Sequence, residues 1–250
     1  MQLPDRSRTS EEAARIRTVY AHYDRTASEQ RKRDKLNPGN TYIAIERERN
    51  LRTLLESRLD SPLSQCRILD VGCGKAELLH QFHRSGVPAQ NLYGIDLLPD
   101  RIETNRKLYP YFHLHCANAE ALDFPADWFD LIVCSTLFSS ILDPAMARNV
   151  ARSVARVLRP GGAVVWYDLR YCNAWNRYVR AITKDDTGEL FPDFTMGLRT
   201  VTVIPSLARR LGRLTGVLYP VFVAVPLFRT YYLGLLLKPP TEPARPRPAT

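Results

Sequence analysis

Cysteine is scarce in this chain and its spacing is irregular. The five cysteines are Cys66, Cys73, Cys116, Cys134 and Cys172; the count is odd and no CxxC occurs. That excludes a disulfide framework, and the thiols read as reduced residues of a cytoplasmic protein. Runs of like charge are missing too, with no five in a row. The stretch Met1 to Ser10 lacks an apolar segment, so no signal peptide is expected. No internal repeat is visible. Long hydrophobic runs are nearly absent. The exception is Leu214 to Leu237, in which Arg229 is the only charge and Pro220 and Pro226 interrupt the pattern. An arginine near a bilayer centre costs about 2.5–3.5 kcal/mol. A buried helix followed by a buried strand is therefore expected there, not a transmembrane span.

What is present suits one α/β domain with extensions. The chain has 250 residues, 45% hydrophobic and 24% charged, ordinary values for a globular core. Its net charge is +9. Arginines concentrate in the first sixty residues, around Arg148 to Arg159, and at Arg209 to Arg213. That balance fits either a solvated surface or an acidic partner such as nucleic acid, anionic lipid or a phosphorylated substrate. No aromatic-rich basic module or base-flipping motif accompanies it, so a nucleic-acid partner is not expected.

Two helices open the chain. Ser10 with Glu11 and Glu12 forms a helix start, and Ile16, Val19, Tyr20 and Tyr23 share one face. Asn37-Pro38-Gly39-Asn40 breaks the pattern, and Leu51, Leu54, Leu55 and Leu59 follow at helical spacing until Pro62. Strands and helices then alternate. Strands are expected at Arg67–Val71, Leu92–Ile95, Tyr111–Cys116, Phe129–Cys134 and Ala163–Tyr167. Helices are expected at Ala76–Ser85, Pro99–Leu108 and Pro144–Leu158, and Pro160-Gly161-Gly162 forms a tight turn. Such alternation means a doubly wound parallel sheet with right-handed crossovers. Beyond it come a helix at Asn173–Thr183, a strand at Arg199–Ile204, a helix from Ser206 to about Val225 and a last strand, Thr230–Leu237. The proline-rich end reads as a loose tail. The expected organisation is an N-terminal helical lid over 1–62 and a Rossmann-like domain over 63–238. A substrate insertion is expected at about 171–200, and a disordered tail over 239–250.

The chemistry concentrates in Ile68-Leu69-Asp70-Val71-Gly72-Cys73-Gly74-Lys75-Ala76. A strand runs into a glycine turn that opens a helix, and ligands bind at such carboxyl ends. A dinucleotide wants G-x-G-x-x-G with its pyrophosphate over the helix N-terminus. Here Glu77 holds the third glycine position and Asp70 precedes the turn. Both acids suit a ligand with an ammonium and a sulfonium better than a diphosphate. Asp96, closing the second strand, can accept from ribose hydroxyls or cap the following helix. After the third strand, Asn118 and Ala119 can meet an adenine. After the fourth, Ser135-Thr136-Leu137-Phe138 can floor a site.

The series ILDVGCGKA, GID, CANAEALDFP, WFDLIVCSTLF and RVLRPGG, over residues 66 to 168, resembles the class I S-adenosylmethionine-dependent methyltransferase superfamily. The resemblance implies a seven-stranded sheet, mostly parallel, with an antiparallel last strand. It implies S-adenosylmethionine as cofactor, held by Asp70, Gly72, Cys73, Gly74, Asp96, Leu97, Asn118, Ala119, Glu120 and Ser135. Ala76 and Asn118 depart from the glycine and aspartate common at those positions. The flanking segments Tyr20-Ala21-His22-Tyr23-Asp24, FSSILD and WYDLRYCN, with Phe191-Pro192 and Val203 to Arg209, resemble a subgroup of natural-product and polysaccharide pathways.

Methyl transfer is an in-line displacement at a sulfonium, so positioning supplies most of the rate and a base is needed only for some acceptors. Asp168, ending the fifth strand, and His22, on the first helix, are the candidate catalytic groups. Each also has a plain structural reading, as a strand-end partner of Arg170 and as part of a packed helix. Tyr20, Tyr23, Phe138, Tyr167 and Arg170 are candidates for acceptor binding. His113, His115 and Cys116 lack further ligands at suitable spacing, so no metal is expected. The expected activity is methyl transfer to an oxygen, less readily a nitrogen, of a small biosynthetic metabolite. Its rivals are a nicotinamide-dependent oxidoreductase, an RNA methyltransferase and a peripheral membrane protein anchored through Leu214 to Leu237. The oligomeric state is left open.

Overall fold

A computed structural model describes residues 6–26, 34, 36–58, 62–171 and 176–240. Cys172, the start of the helix expected at Asn173–Thr183, and the end of the tail lie outside the described residues.

The central segment alternates β1 (Ile68–Val71), α3 (Glu77–Arg84), β2 (Leu92–Asp96), α4 (Pro99–Leu108), β3 (His113–Cys116), β4 (Phe129–Ser135), α5 (Pro144–Val157) and β5 (Leu158–Leu169). It is preceded by α1 (Arg6–Arg25) and α2 (Pro38–Glu56). It is followed by α6 (Lys184–Leu190), β6 (Thr195–Val203), α7 (Pro205–Arg210), α8 (Thr215–Ala224) and β7 (Arg229–Leu237). The seven strands form one sheet in the order β3-β2-β1-β4-β5-β7-β6. Strands β1 to β5 pair in parallel, and β7 runs antiparallel to both β5 and β6. This is a Rossmann-like sheet whose last strand inserts beside the fifth.

The period-two alternation of strands sorts their side chains to two faces. Leu69, Val71, Ile132, Cys134, Val164 and Trp166 meet α1 and α5. Ile68, Leu131, Val133, Val165 and Tyr167 meet α2, α3 and α4. The central strands are apolar throughout because both faces are covered.

Three expectations are corrected. The break at Asn37 to Asn40 is a helix start: Asn37 Oδ1 accepts from Gly39 N at 2.9 Å and Asn40 N at 3.4 Å, with Pro38 first in α2. No helix spans 176–183; Thr183 instead caps α6 through a reciprocal bond pair with Asp186. The helix expected from Ser206 to Val225 divides into α7 and α8, and α8 is not buried. Only Thr215 and Tyr219 of α8 are, whereas Val217 is 72% exposed. A uniformly apolar run has no helical period, so its sequence does not say which face turns inward. Among the described residues no helix is long and apolar enough to cross a membrane.

Gly39 is where α2 crosses α7. A Cβ there would lie 2.2 Å from the Ala208 carbonyl oxygen, closer than any real contact. Gly39→Ala is expected to push the helices apart, destabilising by about 1–3 kcal/mol. Thermal unfolding reads this as a fall in Tm of roughly 3–10 °C; an unchanged Tm would show that the crossing is not tight.

Candidate active site

The carboxyl ends of β1, β2 and β4 open into a cleft of about 1590 Å³. The turn after β1 is built by two glycines in left-handed backbone, Gly72 at φ 76° and Gly74 at φ 54°, which side chains strongly resist. Gly72 N and Cys73 N both donate to Ile95 O at 2.8 Å, tying the turn to β2. Asn105 Nδ2 donates to Gly74 O at 2.8 Å from α4. Ala76, where a glycine is common, also sits at a positive φ, 55°.

Asp96 ties the glycine turn to the entry of α4. Its Oδ2 accepts from Gly74 N at 2.9 Å, and its Oδ1 accepts from Leu98 N at 3.0 Å at the start of α4. Burial raises its pKa above the usual carboxylate value, opposed by those two N–H groups and by Arg101. Asp70 is 2% exposed and lies opposite Gly94 on β2. Burial first, and then the charge of Asp96, pushes its pKa up to about 7, with Arg47 pulling the other way. A carboxylate held so uncomfortably is a ready partner for a cation.

The expected cofactor residues converge well. Asp70, Gly72, Cys73, Gly74, Asp96, Leu97, Asn118, Ala119 and Ser135 all line the cleft. Glu120 does not; its carboxylate accepts from Asn118 Nδ2 at 3.0 Å and Asn149 Nδ2 at 2.9 Å behind the loop. Burial, followed by the charges of Asp70 and Asp96, raises the Cys73 thiol well above its ordinary pKa.

The expected catalytic and acceptor groups fare differently. Of them, Tyr20 alone lines the cleft, its hydroxyl 2.5 Å from Ser140 Oγ. Asp168 is buried, with its carboxylate accepting from the backbone N–H of Phe138 (2.9 Å), Ser139 (3.1 Å) and Leu169 (2.8 Å). Burial lifts its pKa to about 6 against those bonds. It clamps the turn after β4. His22 is exposed on α1, beside Thr26. Tyr23 stacks edge-on with Tyr20 and Tyr178. Phe138 is fully buried against Trp166. Tyr167 points to the opposite face of the sheet from Trp166, stacked on Tyr231 with its hydroxyl 3.0 Å from Thr202 Oγ1. Arg170 donates to the Pro226 and Arg229 carbonyls. None of the described residues of 171–200 reaches the cleft.

Two arginines escaped sequence reasoning. Arg101 Nε donates to Asp24 Oδ2 at 2.8 Å, while its Nη1 lies 3.8 Å from Asp96 Oδ2 and its guanidinium 5.0 Å over the Tyr20 ring. It latches α1 across the cleft. Its place in the first turn of α4, just past Asp96, was the available signal. Arg47, on α2, lines the cleft with its Nε buried and unpartnered among the described groups. It reaches the site through helix packing, for which no local signal exists. On the other side, Glu12 of α1 accepts from Leu142 N at 2.6 Å, and Arg15 donates to Ser140 O at 2.7 Å. Both N-terminal helices therefore wall the cleft.

A glycine turn, an acid closing the next strand and a deep cleft at the switch between β1 and β4 define a Rossmann-like protein with a nucleoside-type ligand site. Residues 68–162 match the family model described as a methyltransferase domain. That match makes residues 68–162 a methyltransferase domain on a Rossmann-like fold, and the cofactor of this domain is S-adenosylmethionine. The nicotinamide alternative gives way accordingly.

The chain is 28% identical over 143 residues to nodulation protein S of Rhizobium tropici, covering 56% of this chain and 58% of that protein. It is 32% identical over 105 residues to a ubiquinone/menaquinone biosynthesis C-methyltransferase of Vibrio parahaemolyticus, covering 40% of this chain and 39% of that protein. The chain thus spans less than two thirds of the length of these curated relatives. The fold also matches a Burkholderia thailandensis 1,6-didemethyltoxoflavin-N1-methyltransferase crystallised with its substrate and S-adenosylhomocysteine. The TM-score is 0.62 at 17% identity, covering 96% of this chain and 92% of that one.

Proposed function

We propose that this protein transfers the methyl group of S-adenosylmethionine to an oxygen, less readily a nitrogen, of a small biosynthetic metabolite. The observation that carries this is the buried Asp70 carboxylate, which faces the cleft beside the glycine turn and has no hydrogen-bond partner among the described residues. The ammonium of the donor would be that partner. Asp96 would hold the ribose, with Asn118 and Ala119 at the adenine. Arg47 would meet the donor's carboxylate. The similar proteins include both a C- and an N1-methyltransferase, so the acceptor atom is not carried over from them.

In this reading the rate comes from alignment and exclusion of water, with no dedicated base. Asp168 accepts three backbone bonds, and both it and His22 are outside the cleft. The acceptor would lie between Tyr20 on α1 and the α2 wall, with α1 and α2 as the lid. Acceptor choice would then rest on these helices more than on residues 171–200. The test has two arms. Calorimetry should detect S-adenosylmethionine and S-adenosylhomocysteine but not NAD or NADP. Incubating metabolite extracts with isotopically labelled donor should then give a labelled small molecule by mass spectrometry. Binding of the dinucleotides instead, or label appearing only in RNA, would overturn the proposal.

A further inference from the structure

Every exposed residue from Leu214 to Leu227 is apolar or glycine. Leu214 is 61% exposed, Val217 72%, Val221 58%, Val225 41% and Leu227 73%. Glycine, proline or alanine fills the remaining exposed positions. A helix facing water presents polar residues on its outer side; α8 presents none. Its inner side is firmly seated. Tyr219 is buried, its hydroxyl donates to Glu46 Oε2 at 2.5 Å, and its ring lies 5.5 Å from that of Tyr42 on α2. Arg229 does not interrupt the outer surface. It donates to Val223 O at 2.6 Å and Ala224 O at 3.2 Å, capping the end of α8.

The charge flanking this face along the chain has one sign. Between Asp193 and Glu242 the sequence contains no acid, while Arg199, Arg209, Arg210, Arg213, Arg229 and Lys238 fall there. Arg210 and Arg213 are exposed immediately before the apolar surface. An apolar helix face beside arginines matches the headgroup boundary of an anionic bilayer, where burial and charge attraction act together. A second copy of the chain would bring the same basic rim to the contact; anionic lipid neutralises it.

We infer that α8 and the turn through Leu227 form a docking face for an anionic membrane surface, lying in the interface without crossing it. α8 packs on α2, and α2 also lines the cleft. Docking therefore brings one wall of the ligand cleft close to the lipid.

Vesicle sedimentation of the full chain tests this. The protein is expected to sediment with vesicles of phosphatidylcholine and phosphatidylglycerol, weakly with phosphatidylcholine alone, and less as salt rises. Val217→Asp with Val221→Asp is expected to lower the partition coefficient on the order of tenfold or more. Arg210→Gln with Arg213→Gln is expected to lower it about thirty-fold, about fivefold per arginine. Donor affinity should stay at the wild-type value in both variants, which verifies folding. If the valine variant fails to fold, the arginine variant decides. Absence of sedimentation, or equal sedimentation of wild type and the arginine variant, would overturn the inference. So would a dimer by light scattering that Val221→Asp splits while vesicles are ignored, which would assign the face to a second copy.

Discussion

Asp96→Ala is expected to weaken S-adenosylmethionine binding by about 2.5–4 kcal/mol. The proposed bond to the ribose is charge-assisted and contributes about 1.5–3 kcal/mol. The alanine also removes the acceptor for Gly74 N and Leu98 N, so the glycine turn loses one of its ties to β2 and keeps those to Ile95 O. That adds about 1 kcal/mol of ordering cost to each binding event. Asp96→Asn keeps one carbonyl oxygen for the turn and is expected to fall between the two. Isothermal calorimetry separates the three proteins. Unchanged affinity in the alanine variant would remove Asp96 from the donor site. A second signature follows from electrostatics. Asp96 is one of the groups that raise the pKa of Asp70. The pH at which donor binding sets in should therefore move down in Asp96→Ala.

Asp70→Asn is expected to improve the stability of the ligand-free protein while impairing its function. In the folded chain the Asp70 pKa is raised from 3.8 to about 7, chiefly by burial. The unfolded chain releases this proton near pH 4, and the folded chain holds it until about pH 7. Between those values the folded state binds more protons, so this group's contribution to stability falls as pH rises. At pH 8 the accumulated penalty is on the order of 4 kcal/mol. Asparagine carries no such penalty, so its Tm at pH 8 is expected to be roughly 5 °C higher or more. Donor binding follows the opposite course. An ammonium prefers the ionised carboxylate, so wild-type affinity should rise with pH through about 7 and then level off. In Asp70→Asn the affinity should be lower by about 1.5–3 kcal/mol and lose that pH dependence. Calorimetric melts and donor titrations from pH 5.5 to pH 8, buffer values chosen around that pKa, would read both trends. A variant that melts lower and binds donor as well as wild type would show that Asp70 is there for packing.

Both effects concern residues at the carboxyl ends of the first two strands, and such residues were legible in the sequence. Asp70, Gly72, Gly74 and Asp96 sit at strand ends, and a strand end's position is set by local pattern. The parallel sheet follows from short apolar runs separated by helices. The same logic misplaces residues whose direction depends on alternation. Tyr167 and Asp168 end the fifth strand, but neither side chain reaches the cleft: Tyr167 stacks on Tyr231, and Asp168 is taken up by the turn after β4. Phe138 follows the fourth strand yet is folded inward against Trp166. All three stand beside the carboxyl ends of strands, and none of the three lines the cleft.

The sequence by itself determined the sheet, the glycine turn with its two acids and the cofactor class, because each is written in residues a few positions apart. Only the tertiary structure decided that α1 and α2 wall the cleft, that Arg47 and Arg101 enter it, and that α8 turns an apolar face outward. Those outcomes depend on which surfaces of distant segments meet. Burial is nearly indifferent to which apolar residue does the covering, so hydrophobicity along the chain carries no record of the choice.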